Sequence, residues 1–302
     1  MLREAIEALD PQTGGVYVDA TLGGAGHSRE IAARIGRTGR LIGIDQDPEA
    51  VEEAWRNLNE FADRVTIVHA RFDEIVEVLD DLNIEYINGI LFDLGVSSHQ
   101  LDAPERGFSF KDPDAFIDMR MNPESGGVTA AELLNTLTER ELTTIIRDNS
   151  DEKWAARIAK FIVEKRGEAR IVKVGQLVDI VHAAIPAAAR PPDIHAATRT
   201  FQSLRVAVND ELNILGHALE SAISRLHSKS AIVTLSYHSI EDRIIKHLFS
   251  RLSGRGGGED PYGRRPPAIL ELLNKKPVLP SAEEIRNNPR SRSAKMRAAR
   301  RI

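Results

Sequence analysis

The sequence predicts an α/β protein whose mostly parallel sheet is interrupted by an inserted helical domain. Short apolar runs alternate with helical patterns over residues 16–94, and this alternation is typical of βαβ units with a buried parallel sheet. Residues 105–208 then show no convincing strand, and a β-rich apolar run returns at 230–237. We therefore expect three segments: 1–104, an insertion at 105–208, and 209–302.

Four apolar runs rich in β-branched residues form the first predicted strands. They lie at 16–20, 40–45, 64–69 and 87–94. The helix after the second run should begin at Pro48 with Asp47 as its cap, because proline is favoured at the first helical position and aspartate at the cap.

The insertion carries apolar residues at a spacing of three to four, which predicts helices. Thr138 and Ser150 are candidate helix starts, and a long helix is expected from Thr198 to His227. A helix over 239–251 should follow the run at 230–237, and AILELL (268–273) is a candidate antiparallel edge strand.

Composition limits the possible classes of protein. The chain has 302 residues, 42% hydrophobic and 28% charged, which is typical of a soluble globular protein. No apolar stretch is long enough to span a membrane, and the N-terminus lacks the pattern of a secretory signal. Cysteine is absent, so we expect neither disulfides nor thiolate metal sites, and a cytoplasmic location fits. The oligomeric state stays open, with a homodimer as one possibility.

The net charge of −5 is unevenly distributed. Residues 1–100 carry a net charge of −11, and residues 101–302 carry +6. The segment from Arg286 to Ile302 has seven basic side chains and no acidic one. Two interpretations of this basic tail remain open: a solvated, frayed terminus, or an arm that contacts phosphates.

A glycine-rich turn follows the first strand, where open α/β sheets bind ligands. Its glycines lie at positions 23, 24 and 26, which does not match the dinucleotide pattern G-x-G-x-x-G. Asp45 ends the second strand, where a carboxylate can accept hydrogen bonds from both hydroxyls of an adenosine ribose. His69 and Asp93 end the next two strands, so polar residues should gather around one cleft.

The charge of this segment favours one adenosine cofactor over others. There is no G-x-x-x-x-G-K-[ST] motif for a polyphosphate, and an acidic segment opposes a polyanion but suits a sulfonium cation. This favours S-adenosylmethionine and methyl transfer, with a nicotinamide dehydrogenase as a remote alternative.

Several blocks of sequence carry a family resemblance. They are Asp93–Asp102, Arg106–Phe110, Asp118–Met121, Arg199–Gln202, Asn209–Leu212, Leu235–Ser239 and Asn288–Lys295. In this order they closely resemble the bacterial family that methylates cytosine N4 in 16S ribosomal RNA, and the likeness covers nearly the whole chain.

The resemblance implies a class I, Rossmann-like methyltransferase fold with S-adenosylmethionine as donor. Its acceptor would be one cytidine near the decoding centre of the small ribosomal subunit. The residues implied to bind the donor are Ala25, Gly26, His27, Asp45, Phe72, Asp93 and Gln100. No metal is implied. Many members carry a cysteine-rich loop where this chain has residues 253–266, so a role for those cysteines does not transfer.

The residue that accepts hydrogen bonds from cytosine N4 is left open. Asp and Glu commonly accept from that amine. The candidates are Asp93, the loop at Ser97 and Ser98, Asn209, Tyr237 and His238. For Tyr237 and His238, a packed strand end is an equally weighted interpretation.

RNA contact is expected from the basic tail and from cations of the insertion. These are Arg147, Lys153, Arg157, Lys160, Lys165, Arg166 and Arg170. Two alternatives to the rRNA enzyme also stay open: the same fold acting on another substrate, and a non-catalytic factor that binds RNA during ribosome assembly.

Overall fold

A computed structural model describes residues 1–192, 194–256 and 267–302. The predicted loop at 254–267 falls largely outside these residues. The chain forms two compact units. Unit 1 comprises Met1–Gly95 with Asn213–Ile302, and unit 2 comprises Val96–Leu212.

The strands and helices follow in chain order. The strands are β1 (Val16–Asp19), β2 (Arg40–Asp45), β3 (Val65–His69), β4 (Ile87–Asp93), β5 (Leu226–Ser236), β6 (Leu270–Leu272) and β7 (Lys295–Arg301). The helices are α1 (Leu2–Leu9), α2 (Gly26–Ile35), α3 (Pro48–Asn57), α4 (Ile75–Asp81), α5 (Ser98–Asp102), α6 (Ala130–Thr136), α7 (Glu139–Asp148), α8 (Ala155–Glu168), α9 (Val174–Ala184), α10 (Thr198–Val208), α11 (Glu211–Ser224), α12 (Ser239–Leu252) and α13 (Ala282–Asn287).

Unit 1 is built on one seven-stranded sheet in the order β3-β2-β1-β4-β5-β7-β6. The first five strands pair in parallel, and β7 runs antiparallel to both β5 and β6. Adjacent residues of a strand point to opposite faces. Tyr17 therefore packs in the core beneath α1 and α2, and Val18 packs in the core beneath α4, α11 and α12. Two helical layers cover the sheet, as the sequence predicted.

The edge strand predicted in AILELL is confirmed as β6. The helix start at Pro48 is confirmed too, because the Asp47 carboxylate caps α3 by accepting the Glu49 N–H at 3.1 Å. The start at Thr138 is confirmed by its capping box, whereas Ser150 does not start a helix, because α8 begins at Ala155.

The long helix predicted from Thr198 to His227 is wrong. It is divided into α10 and α11 because Asp210 adopts a left-handed conformation, with φ of 54°. The Asn209 side chain caps α10, since its Nδ2 donates to the Arg205 carbonyl at 2.8 Å, and its Oδ1 ties the break to the Met121 N–H at 2.7 Å. His227 itself belongs to β5.

The basic tail is neither frayed nor a free arm over Lys295–Arg301. This segment is β7, paired on both sides. The Arg297 guanidinium pairs with Asp242 at 2.7 Å, and Arg301 donates to the carbonyl of Ile223 at 2.7 Å. Alternation along β7 hides Met296, Ala298 and Ala299 in the cores, which anchors the strand despite its charge.

Unit 2 is helical and has its own core. Its buried apolar side chains come from α6 to α10 and from the segment around Ile117 and Met119. Val96 and Leu101 pack against this core, which is why the structural boundary lies at 96 and not at the predicted 105. At the other end Arg205 holds Glu211 through two hydrogen bonds of 2.8 and 2.9 Å, extending the unit beyond 208. Among the described residues, no helix is long and apolar enough to cross a membrane.

Candidate functional site

The carboxyl ends of the parallel strands in unit 1 gather three aspartates. Asp19 ends β1, Asp45 ends β2 and Asp93 ends β4. Parallel pairing brings these ends to the same edge of the sheet, which is where such sheets bind ligands. The three carboxylates lie close enough that the charges of Asp93 and Asp45 both raise the pKa of Asp19.

The turn after β1 opens a space at the start of α2. Ala25 adopts a left-handed conformation, with φ of 62°, and forms the N-terminal cap of α2. A Cβ added at Gly26 would meet no heavy atom within 4 Å. The backbone therefore leaves room at this helix end for a ligand to approach closely.

Asp45 is buried against the glycine turn. Its Oδ2 accepts the Gly23 N–H at 2.8 Å, and its Oδ1 accepts the Asp47 N–H at 2.9 Å. Burial raises the pKa of Asp45 to about 6, although these N–H groups oppose the shift. Asp45 is thus ionised at neutral pH, and each oxygen retains capacity to accept a further hydrogen bond.

Asp19 is a part of the site that sequence reasoning did not single out. Its side chain is 1% exposed, and its Oδ2 accepts the Ser28 hydroxyl at 2.7 Å. Burial raises the pKa of Asp19 to about 7. In the sequence, the feature that could have identified Asp19 as a site residue is its position at the end of the strand VYVD, one residue before the turn.

We expect Asp19→Asn to stabilise the protein increasingly as pH rises. Because the pKa is raised in the folded state, the contribution of Asp19 to stability is present at low pH and is lost as pH rises from about 4 through about 7. Asparagine mimics the neutral acid, so its advantage in unfolding free energy should grow by about 2 kcal/mol between pH 5 and pH 8. Denaturant unfolding measures this difference.

Asp81→Asn, at an exposed aspartate of α4, is the matched control. Its effect on unfolding should stay constant between the two pH values. A constant effect for Asp19→Asn as well would contradict the raised pKa.

Asp93 connects two other predicted site residues. The Tyr237 hydroxyl donates to Asp93 Oδ1 at 2.8 Å, and His27 Nδ1 lies 3.5 Å from Asp93 Oδ2. Burial, followed by the charge of Asp93, raises the pKa of the Tyr237 phenol. Burial lowers the pKa of His27, against the pull of Asp93, so its imidazole is neutral at pH 7. Tyr237 therefore acts as a permanent hydrogen-bond donor to Asp93.

His27 also has an unused polar atom. Its Nε2 is buried and has no hydrogen-bond partner among the described residues. An orphaned polar atom inside a folded protein is costly, and this one lies in the side chain directly after Gly26. A polar ligand at the turn would satisfy it.

His238 serves the start of α12. Its side chain caps the helix, and its Nε2 lies 3.0 Å from Glu241 Oε1. Glu241 is 2% exposed and accepts the N–H groups of Tyr237 and His238 at 2.9 and 3.2 Å. This arrangement favours the packed strand end for His238, and it identifies Glu241 as the residue that fixes the backbone of Tyr237.

Phe72 is the remaining residue of unit 1 that is predicted to bind the methyl donor. Its ring is half-buried and meets Phe92 edge to face, with the ring centroids 6.1 Å apart. It follows β3, one strand beyond Asp45, so it provides an apolar surface near that end of the sheet.

Two predicted site residues belong to unit 2. Gln100 is buried in the capping box of α5, where its Oε1 accepts the Ser97 N–H at 3.0 Å. Asn209 uses its amide to hold the backbone, donating to the carbonyls of Met119 and Arg205 at 2.8 Å each. These bonds give Asn209 a structural role, and it is the weakest of the candidate acceptors.

Several cations expected to contact RNA already have partners in unit 2. Arg166 donates to the carbonyl of Leu134 at 2.9 Å, and Arg157 lies over the ring of Phe161. Lys165 pairs with Glu168 at 2.9 Å. Arg166 thus secures the end of α6, and the sequence could not separate such a structural cation from a surface one.

The residues of unit 1 fit an adenosyl donor that carries a positive charge. Three carboxylates favour a cation, the turn at Gly26 leaves room for it, and His27 Nε2 has no partner in the described parts of the chain. The strand order, with one antiparallel strand inserted beside β5, is that of class I methyltransferases. Fold and site together define this class, which confirms the fold predicted from the sequence.

Comparison with known proteins identifies the family. The model of the MraW methylase family matches residues 1–302. Proteins named ribosomal RNA small subunit methyltransferase H are similar over 100% of this chain and 97% of their own length. They come from Heliobacterium modesticaldum (48% identical), Heliobacterium mobile (46%) and Pelobacter propionicus (46%). The chain belongs to the MraW methylase family and is a methyltransferase that uses S-adenosylmethionine.

Proposed function

We propose that this enzyme methylates the exocyclic N4 of one cytidine in 16S ribosomal RNA, near the decoding centre of the small subunit. The names of its relatives, which are methyltransferases of small-subunit ribosomal RNA, support this substrate. The bacterial cytoplasm, where ribosomes are assembled, is the corresponding compartment. Residues 105–208 are proposed to recognise the RNA around the target base.

The carboxylates of Asp19, Asp45 and Asp93 at one sheet edge are the observation that carries this proposal. Bound S-adenosylmethionine supplies a methyl group made electrophilic by a sulfonium. Asp45 would accept hydrogen bonds from the donor ribose, and the turn at Ala25, Gly26 and His27 would face the rest of the donor. The Ala25 N–H already donates to the carbonyl of Leu22 at 2.8 Å, so the N–H groups of Gly26 and His27 are the ones proposed to contact the donor. Phe72 and Gln100 complete the proposed donor set.

Asp93 is the acceptor we favour for the cytosine amine. The amine is a weak nucleophile because its lone pair is delocalised into the ring. A carboxylate that accepts its hydrogen bond draws electron density to nitrogen and can hold the proton that the amine loses. Tyr237, by donating to Oδ1 of Asp93, acts as a positioning residue that fixes the orientation of this carboxylate.

The function is tested by transfer of a labelled methyl group to three acceptors in parallel: naked 16S rRNA, assembled small subunits and whole ribosomes. We expect N4-methylcytidine, detected by mass spectrometry, at one position in at least one acceptor. A protein that binds small subunits and S-adenosylmethionine but modifies none of the three would contradict the proposal.

A deletion strain provides the matching test in the cell. Its 16S rRNA should lack one N4 methyl group, and the intact gene should restore it. If N4-methylcytidine persists at full level in the deletion strain, the proposed target is wrong.

A further inference from the structure

A small pocket lies at the β6 side of the unit 1 sheet, between α12 and the last strands. Its volume is about 140 Å³. Among the residues that the structure describes, four cationic side chains line it, Lys246, Arg255, Lys275 and Arg297, and no carboxylate does. A concave site whose described lining has three exposed cations beside the ion-paired Arg297 favours an anion.

Three of these cations are exposed and uncommitted. In the part of the chain that the structure describes, Lys246, Arg255 and Lys275 make no ion pair. Charged surface side chains are usually spread apart or paired with opposite charges. Here they line one pocket from α12, from the segment after that helix and from the segment after β6, so an anion in the pocket would meet all three.

The fourth cation forms a fixed part of the pocket wall. The Arg297 side chain is 9% exposed, and its Nε and Nη2 bind Asp242 at 2.7 and 3.3 Å. Among the described residues its Nη1 has no partner. The ion pair holds the guanidinium rigid, so one donor is presented without loss of side-chain entropy on binding.

Asn274 keeps the opposite wall in place. Its Oδ1 accepts the Ala298 N–H at 2.7 Å, and its Nδ2 donates to the carbonyl of Met296 at 2.9 Å. The chain carrying Lys275 is thereby tied to β7, beside Arg297. Ser250, which lines the pocket from α12, adds a hydroxyl that can donate to an anion.

We propose that this pocket binds a phosphate group of the substrate RNA, at a place separate from the donor site. The proposal rests on the proposed function for the source of the phosphate, whereas the cationic lining of the pocket suits a phosphate from any source. Since β7 lies two strands from β4, Arg297 is about 10 Å across the sheet from the strand of Asp93. A phosphate held there would fix the strand of RNA beside the target nucleotide.

The test compares Lys246→Ala/Lys275→Ala with Lys276→Ala. Lys276 is exposed and adjacent but does not line the pocket, so Lys276→Ala shows the effect of losing one nearby charge outside the pocket. The probes are a short single-stranded RNA from the target region, inorganic pyrophosphate and S-adenosylmethionine. Binding is measured by fluorescence anisotropy for the RNA and by calorimetry for the two small molecules.

We expect the double variant to bind RNA about five- to tenfold more weakly than the wild type. The slope of log K against log salt concentration should become less steep by about 0.7 for each phosphate contact that is lost. Pyrophosphate binding should be lost, and S-adenosylmethionine binding should be unchanged. Lys276→Ala should match the wild type throughout. An equal loss of RNA affinity in both variants, or no loss in either, would contradict the proposed phosphate site.

The outcomes also separate this pocket from the proposed function. If the double variant binds RNA like the wild type while the wild type methylates rRNA, the pocket fails and the function stands. In another outcome, pyrophosphate binding needs Lys246 and Lys275, but the wild type neither binds nor methylates rRNA. The pocket is then a phosphate site, and the proposal that its phosphate comes from RNA is wrong.

Discussion

Asp45→Asn should weaken the binding of S-adenosylmethionine by about 100-fold, the cost of losing a charged acceptor of two hydrogen bonds. The wild-type affinity should fall as pH drops below about 6, because the Asp45 carboxylate is then protonated. The affinity of the variant should keep only the pH dependence that Asp19 contributes near pH 7. Calorimetric titration across this range measures both effects.

The pH profile tests whether the charge of Asp45 contributes to donor binding. Asp45 also holds the Gly23 and Asp47 N–H groups, so a loss of affinity by itself includes any loosening of the turn. A fall in affinity near pH 6 that persisted in Asp45→Asn would belong to another group and would contradict the role of the Asp45 charge. Glu52→Gln, at an exposed position of α3, is the matched control and should bind like the wild type. An unchanged affinity of Asp45→Asn for S-adenosylmethionine would show that Asp45 does not bind the donor.

Asp93→Asn should lower kcat for RNA methylation by about 100- to 1000-fold, the usual contribution of a positioned acid or base. The loss of affinity for S-adenosylmethionine should be much smaller, within about tenfold, because other residues of the site remain. Single-turnover methyl transfer at saturating donor separates the two effects.

Tyr237→Phe is the companion variant. It removes the hydrogen bond to Asp93 but keeps the ring in its packed position. With that donor lost, the Asp93 carboxylate is no longer held in one orientation. The kcat for RNA methylation should therefore fall, while KM for RNA stays the same. An unchanged kcat in Tyr237→Phe would show that Tyr237 does not act through Asp93.

The sequence predicted most of unit 1 because the local signals agree there. The apolar runs, the glycine turn and the cap at Asp47 all favour βαβ units, so the strands β1 to β4 fall close to their predicted limits. Helix α1 was not anticipated, although Ala5, Ile6 and Leu9 share one buried face. Eight residues are too few for periodicity to stand out beside charged neighbours.

Long-range pairing explains the remaining differences. Lys295–Arg301 is a poor strand by composition, and it becomes β7 because β5 and β6 offer hydrogen bonds on both sides. The break between α10 and α11 depends on bonds from Asn209 to backbone 88 and 90 residues earlier. Neither the strands that pair with β7 nor the backbone groups that bond to Asn209 can be identified from a local sequence pattern.

The site shows the same division. Asp45 and Asp93 were found because each ends a predicted strand. Glu241 was missed as a support of Tyr237, since its contact is visible only once β5 turns into α12. Asp19 was passed over because burial, which raises its pKa, cannot be measured from sequence.

Titration of the wild-type protein with S-adenosylmethionine, NAD and ATP at pH 6.5, in two buffers of different ionisation enthalpy, tests the cationic donor site most directly. A cation among these carboxylates lowers the pKa values of Asp19 and Asp45, which are about 7 and about 6 before binding. We predict that S-adenosylmethionine alone binds, one per chain, and releases protons. No heat with S-adenosylmethionine, together with saturable binding of NAD or ATP, would contradict the account.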